Sequence, residues 1–299
     1  MWKFIKHEWQ YWFRSPMLWI FLLIVSLMVF GAVSSDQIQI GGGVGSVYKN
    51  APSVIQTYYG VMSLICLLMT TAFMNASANR DFSTGMYQFV FSSPIRKSDY
   101  FFGKFIGALL ISIIPLFGVS IGALIGPLMP WAQPERYGPI IWSGHIQGIL
   151  AFAIPNTIIA GALLYSLAVV FRNNIISFVG AMLILVFYVV SQGFTADLEK
   201  EWLANILDPF GFQPLSTLSK YKTIEEKNLF PTPLEGQFLV NRIIWIGLSL
   251  VLLMFMYSKF SFNTKKEKVK KSKAKIEEET TLFDLSKIKT FEIPQNKGF

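Results

Sequence analysis

The sequence predicts an all-α integral membrane protein: six transmembrane helices preceded by an interfacial amphipathic helix. Three observations carry that prediction. Of 299 residues, 53% are hydrophobic and only 15% charged, against about 25% charged in an ordinary soluble domain. The charges cluster between long uncharged runs, each near the roughly 20 apolar residues that a helix rising about 1.5 Å per residue needs to cross a bilayer core. Lysine and arginine are also distributed unequally between alternating connections. An ordinary soluble enzyme is thereby excluded, and one cysteine (Cys66) with two histidines excludes a disulfide framework and argues against a multi-ligand Cys/His metal site.

Residues 1–15 come first. Three- and four-residue spacing places Trp2, Ile5, Trp9 and Trp12 on one helical face and Lys3, Lys6, Gln10 and Arg14 on another. This is the pattern of a helix lying in the membrane interface, with tryptophan at headgroup depth and Ser15-Pro16 turning into the first span. The six spans are expected over 17–33, 55–78, 105–129, 146–171, 175–191 and 239–257. Arg172, Asn173 and Asn174 separate the fourth from the fifth as a tight turn. The sixth has the shortest uncharged run, between Arg242 and Lys259, both long enough to snorkel toward headgroups.

With the N-terminus inside, 19 of the 26 lysines and arginines fall on the inner segments, which carry +10 against −2 outside. Both termini are therefore expected in the cytoplasm. No Asp, Glu, Lys or Arg is expected deep within a span, which lowers ion-coupled transport.

The inner connection 79–104 reads NRDFSTGMYQFVFSSPIRKSDYFFGK, too apolar for a merely solvated linker. Met86, Phe89, Val90 and, less neatly, Tyr87 are expected on one face of a short helix beginning after Ser83-Thr84 and ending before Ser93-Pro94. That face must meet lipid or a partner. Gly118, Gly122 and Gly126 form overlapping GxxxG repeats for close helix packing, and Pro115 and Pro155 are expected to kink their spans. The outer connection 192–238 is expected to form a cap with one helix near 197–207, broken by Asp208-Pro209-Phe210-Gly211 and irregular beyond it. Gly41-Gly42-Gly43 reads as a flexible turn, and Ser143-Gly144-His145 lacks the separated base and acid that catalysis needs. Residues 263–299 read as a lysine-rich cytoplasmic tail without a folded core.

On these residues, 1–262 resembles the membrane subunit of an ATP-binding-cassette exporter of the type-2 permease class. In the inner loop, Arg80-Asp81, Thr84-Gly85, Pro94 and Gly103-Lys104 are similar to that class's pattern of an acid, a Gly-containing helix start, a proline and a closing Gly-Lys. The family commonly has glutamate where Asp81 stands. The resemblance implies that 79–104 is the loop coupling the permease to its ATPase. It also implies an ATPase subunit as partner, a second permease half or a homodimer, membrane lipids, and no nucleic acid. The chain contains no GxxxxGK[ST] loop, so ATP and Mg belong to the partner ATPase and no cofactor is expected here. DPFGFQPL at 208–215, NRIIW at 241–245 and YSKFSF at 257–262 look similar to segments of large bacterial permeases, some fused to a zinc aminopeptidase domain, which would make this chain the first half of such an architecture. No HExxH occurs, so peptidase activity is not expected. The competing reading is a non-transport membrane scaffold or interaction protein that uses the spans as an anchor and the tail as its working part.

Overall fold

Pro16 has a fixed φ and no N–H, which suits the first turn of a helix. Behind it the apolar run folds as α2 (Pro16–Ser34), joined through extended Ser15 to α1 (Trp2–Phe13). The computed structural model describes residues 1–35, 45–172, 174–195 and 201–262, which contain helices and connections but no strand. Met1–Phe260 is one unit. The triple glycine at 41–43, the start of the expected cap helix at 197–200 and the tail at 263–299 lie outside the described residues.

The second apolar stretch is not a single rod. It forms α3 (Pro52–Ile65) and α4 (Leu67–Ser83), bent by 50° at Cys66. Ser63 Oγ donates back to Gly60 O at 2.6 Å, and the Cys66 amide reaches the carbonyls of both Leu64 and Met62. Such local tightening turns a helix axis. Because both halves are apolar, hydropathy reads through the break.

After α5 (Tyr87–Ser92), the third stretch runs from α6 (Lys97–Ile113) through a 3-10 turn at Ile114–Phe117 into α7 (Gly118–Ile125). The expected Pro115 kink is that 3-10 turn. α8 (Trp142–Gly148) passes through a π turn at Ile149–Ala153 into α9 (Ile154–Phe171). The wider turn accommodates Pro155, which cannot donate to the preceding turn. α9 ends at Arg172 in the left-handed conformation, and α10 spans Asn174–Gly193.

The cap is more regular than its prolines suggest. It contains α11 (Glu201–Leu207), α12 (Phe212–Ser219) and α13 (Ile224–Leu229) before α14 (Gly236–Lys259). Pro214 falls in the first turn of α12, where its missing N–H costs nothing. Pro231 and Pro233 lie in the connection to α14.

Among the described residues five segments are long and apolar enough to cross a membrane, or six if the bent pair α3 and α4 counts as one. α9 is the hub, packing on α4, α6, α10 and α14, and its small residues Ala160, Ala162 and Ala168 are buried. α2 lies along α7 through the three glycines singled out from the sequence. A Cβ at Gly122 would stand 2.4 Å from Ser26 O, and one at Gly118 2.8 Å from Leu22 O. The stripe also extends beyond them, because Gly103 and Gly107 receive Phe4 and Glu8 of α1 equally closely, at 2.8 Å. A single row of glycines therefore seats α1 and then α2 on the third stretch.

Candidate functional site

α4 continues to Ser83, so Arg80 and Asp81 project from its last turn toward different neighbours. Arg80 Nη2 donates to Glu8 Oε1 of α1 at 2.5 Å, and its guanidinium lies 4.1 Å from the Tyr11 ring centroid. Asp81 Oδ2 accepts from Lys104 Nζ at 2.7 Å and from Tyr100 OH at 2.9 Å, both on α6. Lys104 also donates to Ser77 O at 2.9 Å. Two cations and two carboxylates thus tie α1, α4 and α6 together in a largely buried cluster.

This corrects several expectations. Gly103 and Lys104 do not close a loop: they sit well inside α6, where Lys104 is only 2% exposed and Gly103 is covered by α1. Arg80 and Asp81 face their internal partners and are not presented for docking. Nor are the long helices free of buried charge, since Lys104 and Arg242 both point inward. Sequence reasoning missed Glu8 altogether, although one signal was legible: it falls between Ile5 and Trp12 on the apolar stripe of α1, and those three are that helix's buried residues.

The tryptophans divide accordingly. Trp12 is buried edge-on against Phe73, with ring centroids 4.7 Å apart, whereas Trp2 is 73% exposed and Trp9 also faces outward. The expected single face is broad enough to serve two neighbours, its inner edge meeting the bundle and its outer edge turned away.

What remains exposed in 79–104 is a short projection. Thr84, Gly85 and Pro94 are exposed, and Gly85 takes φ +73° with open space around it. Met86, just before α5, and Phe89 on it face outward, Phe89 being 69% exposed, while Val90 is half-buried. Tyr87 belongs to the opposite face: it stacks on Phe82 at 5.3 Å, beside Phe91, whose ring meets Tyr100 edge-on at 5.5 Å. The aromatic root of the projection therefore stands on the same Tyr100 that donates to Asp81.

A second polar constellation forms at the cap end. Arg242 was expected to snorkel outward, but it is 2% exposed and turned into the bundle. Its Nε and Nη2 donate to Asn241 Oδ1 at 2.9 and 2.6 Å, its Nη1 to Asn156 Oδ1 of α9 at 2.7 Å, and its Nη2 also to Pro209 O at 3.4 Å. Asn241 donates to the carbonyls of Asn205 at 2.6 Å and Asp208 at 2.9 Å, and Trp245 to Ile206 O at 2.9 Å. Asp208 in turn accepts the N–H groups of Phe210 and Gln213, both at 2.8 Å. Burial pushes its carboxyl above the usual carboxylate range, against those hydrogen bonds and the nearby Arg242 charge, which pull it down. Gly211, at φ +80°, is where the guanidinium passes, since a Cβ there would lie 2.3 Å from Arg242 Nη2. The segments DPFGFQPL and NRIIW are two halves of one clasp.

No protein-family model matches the chain, and neither does any curated protein. The reading of the site therefore rests on its own geometry. Among the described residues no three His, Cys, Asp or Glu side chains gather as a metal ion would require. The histidine of Ser143-Gly144-His145 is paired not with Ser143 but with Ser120 of α7, Oγ to Nδ1 at 2.8 Å. The arrangement at 79–104 is suited to mechanical transmission, because an exposed apolar tip stands on a buried ionic joint shared by three helices.

Proposed function

We propose that the chain is the membrane-spanning subunit of an ATP-binding-cassette exporter of the type-2 permease class. It crosses a bacterial inner membrane six times, α3 and α4 forming one span, with α1 in the cytoplasmic interface and both termini inside. A separate ATPase subunit supplies ATP and Mg chemistry, and a second permease half or second copy completes the pathway.

One observation carries the reading. The tip of the inner loop exposes Met86 and Phe89, while its root is fixed through Phe91 and Tyr100 to the joint of Asp81, Lys104, Arg80 and Glu8. A partner that grips the tip and moves would displace α1, α4 and α6 together, since charge-assisted bonds between helices resist separation. Thr84, Gly85 and Pro94 flank the tip and set its projection; Arg80, Asp81, Gly103 and Lys104 transmit.

Photocrosslinkers at Met86 and Phe89 in native membranes should capture an ATPase subunit. Phe89→Ser should abolish stimulation of that ATPase while leaving unfolding within about 0.5 kcal/mol of wild type, as for an exposed substitution. Capture of lipid alone, together with unchanged stimulation, would overturn the proposal. Deleting 263–299 separates it from the scaffold reading: export should persist without the tail.

A further inference from the structure

At the end of α7 remote from α1, a cavity of about 290 Å³ lies between α3, α7 and α8, close to the lower end of ligand-site volumes, about 300–1,000 Å³. Ile55, Ala123, Leu124, Leu128 and Ile140 give it apolar walls, and His145 stands among them. One side is the extended stretch 138–141, pinned where Asn50 Nδ2 donates to Gly138 O at 2.7 Å and Gly138 N–H donates to Asn50 Oδ1 at 2.8 Å. Among the described residues no Lys, Arg, Asp or Glu lines it.

The hydrogen on His145 follows from its neighbours. Tyr59 is fully buried on α3, and its hydroxyl lies 2.6 Å from Ser120 Oγ, which lies 2.8 Å from His145 Nδ1. Gly148 makes room for the phenol, since a Cβ there would be 2.3 Å from the Tyr59 ring. If His145 donated from Nδ1 to Ser120, and Ser120 to Tyr59, the buried Tyr59 hydrogen would have no acceptor among the described residues. The opposite order satisfies every group: Tyr59 donates to Ser120 and Ser120 donates to Nδ1. The neutral ring then carries its hydrogen on Nε2, which makes no hydrogen bond to the described residues.

We propose that this cavity binds the uncharged acyl-ester portion of an amphipathic molecule, the ester carbonyl accepting from His145 Nε2–H and the acyl chain packing against Ile55, Leu124, Leu128 and Ile140, with any charged headgroup left outside. A donor at the polar point calls for an acceptor in the ligand. Walls that offer no Lys, Arg, Asp or Glu among the described residues disfavour an ionised headgroup inside the cavity. The ester belongs either to a bilayer phospholipid or to a smaller monoacyl molecule, and the two arms of the test separate them.

The full-length protein is reconstituted in vesicles of phosphatidylethanolamine and phosphatidylglycerol. These are doped either with a phospholipid carrying a diazirine in one acyl chain or with a diazirine monoacylglycerol, illuminated, and mapped by peptide mass spectrometry. Labels are expected within 120–128 and 138–145. Ala123→Phe should remove them by filling the cavity. His145→Phe should lower them about fivefold, the worth of one neutral hydrogen bond. Labelling of the exposed α10 face at Phe178 and Met182 should stay constant and reports folding in every variant. Labels from the phospholipid assign a bilayer lipid; labels from the monoacylglycerol alone assign the smaller molecule. Should Ala123→Phe disturb the α10 pattern, Ser120→Ala provides the milder perturbation, because it frees Nδ1 to carry the hydrogen and must itself lower labelling. No cavity labels in either arm, or labels unchanged in both His145→Phe and Ser120→Ala, overturn the proposal.

Discussion

At the α1 end of the bundle two cations meet two carboxylates across three helices, whereas at the cap end one guanidinium meets only neutral oxygens. Glu8 with Arg80 and Asp81 with Lys104 are direct ion pairs. Arg242 is held by amide and carbonyl oxygens, while Asp208 directs both of its oxygens to backbone N–H groups. In the first cluster each cation faces a carboxylate, so the charges stay neutralised even where hydrogen-bond angles change. A guanidinium held by amides from α9 and α14 and a carbonyl of the cap requires fixed directions. The proposed function uses the first end as its moving joint and the second as its anchor.

The strongest way to break this comparison is to remove one cation from each end. Arg242→Leu leaves Asn241 Oδ1, Asn156 Oδ1 and Pro209 O without their donor and should lower unfolding stability by about 3–5 kcal/mol. Lys104→Met should cost about 2–3 kcal/mol, because Tyr100 still donates to Asp81, and Asp81→Asn added to it should recover part of the loss. Denaturant unfolding in detergent measures both. Equal losses, or no recovery in the double variant, would remove the distinction.

A pair of glycines sharpens it at smaller amplitude. Gly85 and Gly211 share a left-handed backbone, at φ +73° and +80°, but only Gly211 is covered, by Arg242. Gly85→Ala should cost about 1 kcal/mol, the backbone penalty alone. Gly211→Ala should cost about 2–3 kcal/mol and displace the guanidinium.

The smallest effects appear in the pH dependence of the cap. Asp208 has a raised carboxyl pKa, so the native state holds its proton more tightly than the unfolded chain. Its contribution is fullest below the ordinary carboxylate range and falls as pH rises through the raised value. Glu226 has the opposite sign: the Thr223 backbone N–H lowers its pKa, so its contribution is present above the ordinary value and lost as pH falls through the lowered one. Asp208→Asn and Glu226→Gln should each flatten its own part of the stability profile, and a flattening in the wrong direction would refute the assignment.

Much of the helix inventory was legible because a long uncharged run has few ways to bury its backbone, and the glycine repeat was legible because small residues at four-residue spacing leave a groove. Glu8 was not, since one acid among tryptophans carries no partner with it, and Arg80 lies 72 residues away. Lys104 and Arg242 were misplaced for a related reason. A charge at the edge of an apolar run fits outward snorkelling and inward pairing equally well, and local sequence does not choose between them. The bend at Cys66 escaped because it changes hydrogen bonding without changing hydropathy.

By itself, then, the sequence determined an all-helical chain, the approximate extent of its long apolar helices, the close packing of the third stretch, and the loop in which aromatic and basic residues gather. Only the tertiary structure decided which charges face one another, that DPFGFQPL and NRIIW form one clasp, and that the loop exposes Met86 and Phe89 while its charges turn inward. Helices are written in local periodicity, which burial of the backbone enforces residue by residue. The partners of buried charges are set by where distant helices cross, and that is known only once they have packed.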